Sequence, residues 1–344
     1  MDTKIWAVRN GLDDLDKIKC AAELLASNEV VAFPTETVYG LGGNAESDEA
    51  VEKIFHAKGR PSDNPLIIHI ADTSQMEGFV EDIPEVADKL IEAFWPGPLT
   101  LILQMKKGAL SEKATAGLDT VGVRMPDHPV ALALLKECKH PIAAPSANSS
   151  GKPSPTTARH VAHDLTGKIA GIVDGGSTGV GVESTVLDCT SSVPSILRPG
   201  GITLEQLEAV IGMVEVDPAL RNSDSKPKAP GMKYRHYAPE APLYLVKGKK
   251  EFLQEVASNF RREGKRVGIL AAEETAGGYE ADSVIACGSR DNLETVAAAL
   301  YETLRAFNEH KLDVIISETF PETGVGHAIM NRLMKAAGNK VIVE

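Results

Sequence analysis

The stretch VVAFPTETVYGLGGNAESDEAVEKIFHAKGRPSDNPLIIHI, residues 30–70, sets out the fold in miniature. An apolar run, Val30–Phe33, leads into a polar, glycine-bearing loop. Charged and apolar residues then alternate at helical spacing from Asp48 to His56, and a second apolar run, Leu66–Ile70, follows. Strand, loop, helix, loop, strand is the repeating unit of α/β architecture. The alternation continues to about Ile211. LTLIL at 99–103, VGVR at 121–124 and AGIVD at 170–174 read as further strands; Pro84–Phe94, Pro129–Lys136 and Thr157–Leu165 read as helices. Several connections are too short for crossover helices, so a mixed sheet is expected rather than a purely parallel one.

Residues 217–241 change character: they are rich in Pro, Ser and Lys and lack apolar periodicity, which is the composition of a linker. Beyond them LYLV, RVGIL, DSVIAC and DVIIS alternate with helical patterns at 249–263 and 293–309, a smaller α/β unit of Rossmann-like pattern. The expected organisation is therefore a first domain over 1–216, a linker over 217–241 and a second domain over 242–344. A chain of 344 residues suits two cores better than one.

Composition narrows the function. Hydrophobic residues make up 43% and charged residues 24%, as in globular proteins. With 36 basic against 48 acidic residues the formal charge is −12, which disfavours non-specific adhesion to nucleic acid or anionic membranes. Any anionic ligand must be gripped by a local basic pocket. The N-terminal MDTKIWAVRNGLDDLDK has no apolar core behind a basic start, and no run of eighteen apolar residues occurs, so secretion and membrane spanning are not expected. Cys20, Cys138, Cys189 and Cys287 are widely separated with no CxxC pair, which points to buried, inert thiols in a reducing cytoplasm.

Familiar nucleotide motifs are absent. Gly151-Lys152 and Gly167-Lys168 lack the hydroxyl of a phosphate-binding loop, and Gly179-Val180-Gly181 and Gly324-Val325-Gly326 lack the last glycine of a dinucleotide fingerprint. Gly324–Gly326 reads better as the start of a helix. His160 and His163, one helical turn apart, have no close third ligand and read as surface residues rather than a metal site. There is no GxSxG elbow to mark a nucleophile.

Polar residues crowd instead into successive loops, where open α/β sheets bind ligands. Pro34–Gly42 offers hydroxyls and glycines that could let backbone amides approach a small ligand; a tight turn is the alternative. Lys58-Gly59-Arg60-Pro61-Ser62 sets a point charge beside a fork-shaped one, a sensible clamp for a triphosphate, with a solvated basic loop as the alternative. Thr120–Arg124 ends on an arginine suited to a carboxylate. Ala144–Ser154 offers hydroxyls, an amide and a lysine before a helix; Gly179–Thr185 and Arg198–Gly201 complete the set. Each could be plain turn chemistry, but their recurrence after successive strands favours one shared cavity.

Taken in order, PTETVYGLG, KGRPSDNPLIIHI, FWPGPLTLIL, TVGVRMPDH, PSANSSGKPSPT, GVESTVLD and LRPGG closely resemble the YrdC-like threonylcarbamoyl-AMP synthase family. The tail, with DVIISETFPETGVGHAIMNRLMKAAG, is similar to the longer, two-domain form. The resemblance implies a mixed, twisted α/β sheet with a central cavity, plus the Rossmann-like domain. It also implies synthesis of threonylcarbamoyl-AMP and pyrophosphate from L-threonine, bicarbonate or carbon dioxide, and ATP. The product would feed a downstream tRNA threonylcarbamoyl transferase complex acting beside the anticodon; direct tRNA binding is disfavoured by the net charge.

By the same resemblance Thr35, His69, Arg124 and Ser184 would hold L-threonine, with Arg124 on its carboxylate. Lys58, Ser62, Thr120, Ser146, Asn148, Ser154 and Arg198 would touch ATP, and Lys58 and Arg60 would serve charge developing on the leaving phosphates. Mg²⁺ is expected with ATP, and no protein-ligated metal. Between Ser225 and Pro239 lie Lys226, Lys228, Lys233, Arg235 and His236 with no acidic residue, and Tyr234 and Tyr237 sit among them, able to stack on a base or to anchor the segment. This basic island is expected to close over the cavity as a lid, with Arg235 and His236 reaching the nucleotide; a solvated tether is the alternative. Rival readings are an RNA-binding module and a transferase using carbamoyl phosphate.

Overall fold

The computed structural model describes residues 2–8, 14–220 and 236–344. The first part of the chain forms β1 (Lys4–Ala7), α1 (Leu15–Ala26), β2 (Val31–Phe33), β3 (Gly40–Asn44), α2 (Asp48–Lys58), β4 (Ile67–His69), α3 (Glu85–Phe94), β5 (Leu99–Gln104) and α4 (Glu112–Thr115). It continues with β6 (Thr120–Arg124), α5 (Pro129–Glu137), β7 (Ile142–Ala143), α6 (Ala158–Leu165), β8 (Gly171–Asp174), β9 (Thr185–Asp188), β10 (Ser195–Arg198), α7 (Leu204–Ile211) and β11 (Glu215–Val216).

These strands make one mixed sheet in the order β1-β8-β2-β3-β7-β4-β6-β5-β9-β10-β11. β4 and β6 run parallel with His69 opposite Arg124, while β2/β3, β3/β7, β4/β7, β5/β6 and β9/β10 are antiparallel. The expected mixed α/β architecture is therefore what the chain adopts. Its main core gathers Tyr39, Leu41, Ile54, Ile68, Leu101, Val123 and Leu187 between the sheet and helices.

The loop expected over Pro34–Gly42 turns into a strand at Gly40. The glycines there make room for side chains of neighbouring strands and of α2. A Cβ on Gly42 would lie 2.9 Å from Phe33 Cε1 and 3.0 Å from Ile142 Cγ2, and one on Gly43 would lie 3.0 Å from Ile54 Cδ1. Phe33, fully buried, fills the space the glycines leave.

By residue packing the described chain divides into two units: 2–150, 155–179 and 183–220 in the first, and 151–154, 180–182 and 236–344 in the second. The second contains β12 (Leu243–Lys247), α8 (Lys250–Arg262), β13 (Val267–Ala271), α9 (Glu273–Ala276), β14 (Ser283–Ala286), α10 (Leu293–Ala306), β15 (Val314–Glu318), α11 (Gly326–Ala337) and β16 (Val341–Val343). Its sheet, β14-β13-β15-β12-β16, is parallel throughout and covers a core of Val246, Leu253, Ile269 and Ile316. Gly326 starts α11, as the sequence suggested.

At the carboxyl ends of β13 and β15, where a parallel sheet commonly binds ligands, Glu318 takes hydrogen bonds from Ala272 N (2.9 Å), Tyr279 Oη (2.6 Å) and Arg290 Nη2 (2.9 Å). Burial alone would raise its pKa. The donors, Tyr279 first, outweigh burial and hold it below the usual carboxylate range.

Two expectations need correction. Cys20 is exposed; the other three thiols are buried, and burial pushes each of them up to about 12. His160 is buried, not on the surface, and its Nδ1 accepts from Thr156 N at 3.2 Å. Among the described residues no helix is long and apolar enough to cross a membrane, and no group of three His, Cys, Asp or Glu side chains is placed to hold a metal ion.

Candidate active site

Lys58 owes its place to the way α2 ends. Ser47 caps the helix by accepting from Ala50 N, and Gly59, at φ 61°, closes it in the left-handed conformation that glycine takes without strain. The Lys58 side chain turns inward, 4% exposed, and Nζ donates to Ser146 O and to Asn148 O (2.7 Å), with Asn148 Oδ1 at 3.5 Å. Burial, and then the Arg60 charge, pull its pKa well below the usual lysine range, while Asp164 and Glu183 oppose the shift. Ser146 Oγ donates to Asn148 Oδ1 at 2.6 Å, which fixes the amide. Arg60 is half-buried, with Nη2 3.4 Å from Asn64 O and 3.5 Å from Pro65 O; Ser62 is exposed on the same loop.

A second group forms where β4 and β6 end side by side. His69 is buried, and its Nδ1 lies 3.1 Å from Ile67 O. A carbonyl can only accept, so the proton sits on Nδ1 and Nε2 keeps a lone pair. Burial, then the Arg124 charge, lowers its pKa to about 3. Arg124 is 4% exposed; Nε donates to Gly97 O at 3.3 Å and Nη1 to Thr37 Oγ1 at 2.9 Å. Thr35 Oγ1 donates to Val38 O at 2.7 Å and accepts from Thr37 N and Val38 N, so the hydroxyl of Thr37, 2.9 Å away, donates to Thr35. Glu36 lies between these threonines, with Oε1 2.6 Å from Arg124 Nη2.

A third group follows β9 and β10. Arg198 Nε and Nη2 donate to Ser184 O at 3.1 and 3.0 Å, Nη2 also reaches Ser184 Oγ at 3.1 Å, and Ser184 Oγ is 2.8 Å from Thr100 Oγ1. The loop after α3 ties this group to the second: Thr185 N donates to Pro98 O at 3.0 Å, next to the Gly97 carbonyl that Arg124 uses. Glu183, beside Ser184, is also among the charges felt by Lys58.

Strand-end logic needs a correction here. His69 and Arg124 lie at carboxyl ends, but Ala144 N donates to Ile67 O, so Ser146 and Asn148 lie past the amino end of β4. A sheet with antiparallel neighbours has no single carboxyl edge, so polar groups gather at both ends of β4. Thr120, half-buried at the start of β6, lines a small groove with Pro65, Leu66 and Thr115.

Ser154 is fully buried within the second unit. His236 is also in that unit, its ring 5.6 Å from Tyr237; Tyr237 stacks on Tyr301 at 5.3 Å under the Arg332 guanidinium, and so acts as an anchor. Arg235, Tyr234 and the rest of the expected lid over 221–235 lie outside the described residues.

Glu36, Thr37 and Thr100 were not singled out in the sequence. A threonine inside the apolar run LTLIL was the available signal for Thr100, and an acid flanked by two threonines was the signal for Glu36.

Comparison with known proteins adds the following. A family model described as "Telomere recombination" matches residues 23–200, and one described as "Threonylcarbamoyl-AMP synthase, C-terminal domain" matches 202–338. A threonylcarbamoyl-AMP synthase of Bacillus subtilis is 62% identical over 99% of this chain and 100% of its own length. One from Pyrococcus abyssi is 51% identical over 99% of both chains. The crystal structure of P. abyssi Sua5 complexed with L-threonine superposes with a TM-score of 0.94 at 49% identity, covering 99% of this chain and 100% of that one.

Proposed function

Because the chain belongs to the two-domain threonylcarbamoyl-AMP synthase family, we propose that it makes threonylcarbamoyl-AMP and pyrophosphate from L-threonine, bicarbonate or carbon dioxide, and ATP. Beside family membership, one observation supports the reading most: the first unit buries three cations, Lys58, Arg124 and Arg198, each among hydroxyls and carbonyls. A buried guanidinium suits the threonine carboxylate, and a buried ammonium beside Arg60 suits phosphates.

In this reading Arg124 takes the carboxylate, and Thr35, His69 and Ser184 surround the rest of the amino acid. Lys58, Arg60, Ser62, Thr120, Ser146, Asn148 and Arg198 receive ATP, which enters with Mg²⁺ as part of the substrate. The amine of threonine attacks the carbon only when neutral, and the carbamate formed is labile in water, so the site must exclude solvent. A carbamate oxygen then attacks the α-phosphorus, its bond to the β-phosphate oxygen breaks, and pyrophosphate leaves. No covalent enzyme intermediate is needed. The protein positions reactants and stabilises charge on the departing phosphates. The product goes, in the cytoplasm, to a tRNA threonylcarbamoyl transferase complex.

The test is pyrophosphate release. It should require threonine and bicarbonate together, fall with L-serine in place of threonine, and drop on the order of ten- to hundredfold in Lys58→Ala. Release that ignores threonine, or a Lys58→Ala enzyme of full activity, contradicts the reading. Consumption of carbamoyl phosphate without pyrophosphate would point to the rival transferase.

A further inference from the structure

Glu36 is a half-buried residue for which the mechanism above has no task. Both of its oxygens are shielded from solvent, and neither accepts a hydrogen bond among the described residues. Among the described residues it pairs with Arg124, with Oε1 2.6 Å from Nη2, an ion pair without aligned hydrogen-bond geometry, so Nη2 too donates to nothing described. The remaining Arg124 contacts are spent on Gly97 O and Thr37 Oγ1. A buried charge left without hydrogen bonds is costly. An aligned donor and acceptor are both wanting at this one point.

An α-amino acid supplies both. With its carboxylate on Nη2, its ammonium stands two bonds from the carboxylate carbon and so beside Glu36. Charge balance then has a consequence. The zwitterion adds no net charge to the Glu36–Arg124 pair, but the carbamate made from it is a dianion: bicarbonate brings one negative charge, and loss of the ammonium's proton adds a second unless that proton stays in the site.

We propose that Glu36 accepts that proton, so that the α-amine is neutral when it meets bicarbonate. The proposal rests on the reading of this site as one for threonine and bicarbonate. The step balances: the N–H bond of the ammonium breaks and a carboxyl O–H forms on Glu36. The freed lone pair attacks the bicarbonate carbon and a C–N bond forms; the carbon–hydroxyl bond breaks as a second proton from the nitrogen passes to that oxygen, water leaves, and a carbamate remains.

Other groups facing this point are less suited. His128, at the amino end of α5 next to Asp127, uses Nδ1 to accept from Val130 N at 3.2 Å. His69 turns Nδ1 to Ile67 O at 3.1 Å, and burial and the Arg124 charge oppose its taking a proton.

The experiment compares wild type, Glu36→Gln and Glu36→Asp for kcat and threonine KM across pH, with melting temperatures as the folding control. Glu36→Gln should lose about a hundredfold or more in kcat near pH 7, with threonine KM little changed. Its deficit should narrow above about pH 8, where an α-amine begins to lose its proton unaided. Glu36→Asp, which keeps the carboxylate, should retain much of the rate. Three results overturn the assignment: a fully active Glu36→Gln, a loss equal at every pH with a raised threonine KM, or a Glu36→Asp as inactive as a folded Glu36→Gln. Those results need an active wild type. A wild type that makes no product from threonine at any pH removes the functional reading itself.

Discussion

Lys58 exchanges its hydration for two carbonyl oxygens and an amide, and in that setting its proton is loosely held. Phosphates arriving beside it would favour the charged form and raise its pKa again. ATP binding should therefore take up a proton, and affinity should be greatest at low pH and decline as pH rises through the pKa of the free site. Titration calorimetry in two buffers of different ionisation enthalpy checks this: binding heats should differ between buffers in wild type and agree in Lys58→Met.

His69 makes the opposite case for stability. Its pKa falls from 6.5 to about 3 on folding, so between those values the unfolded chain binds more protons. The stability due to neutral His69 is complete above about pH 6.5 and drains as pH falls toward 3. In His69→Gln the unfolding free energy, measured in urea at pH 7, 5.5 and 4.5, should lose up to about one proton's worth of this slope. An unchanged slope would remove His69 from the acid limb.

At the scale of elements, β3 depends on residues that have no side chain. Phe33 and Ile142 occupy the space a Cβ on Gly42 would need. Gly42→Val should overpack the sheet by about 1–3 kcal/mol and lower the melting temperature by several degrees; a variant melting with wild type would show that the neighbours yield freely. The same feature explains why β3 escaped sequence reading. Gly-Leu-Gly-Gly-Asn carries almost no strand signal, and its pairing is set by the residues packed across it. The runs at 31–33, 67–69, 99–104 and 120–124 were legible because their own apolar side chains are what the core buries. Short strands such as β7 and β10 follow from tertiary pairing and carry no such signal.

The candidate site divides the same way. Lys58, His69 and Arg124 stand out in sequence because charged or titratable residues adjoin apolar runs. That Lys58 is held by backbone carbonyls, or that Glu36 faces Arg124, depends on pairings between residues far apart in the chain, which no local pattern encodes.

At the scale of the whole molecule, a chain of net charge −12 buries Lys58, Arg124 and Arg198 in its first unit. Such a surface offers little to a polyanion. Affinity for tRNA should be weak at physiological salt and should show a shallow salt slope; steep, tight binding would favour the RNA-binding reading. The parallel sheet of the second unit, with Glu318 already satisfied by its own neighbours, gives no reason to look for substrate there.

The central claim is that the first unit brings an amino acid and a nucleotide together around buried cations. Incubation with ATP, isotopically labelled bicarbonate and L-threonine, followed by mass spectrometry, tests it most directly. One labelled carbon should appear in a threonine–AMP mixed anhydride, in step with pyrophosphate. Pyrophosphate with no such adduct, or an adduct that carries no label, would contradict the account.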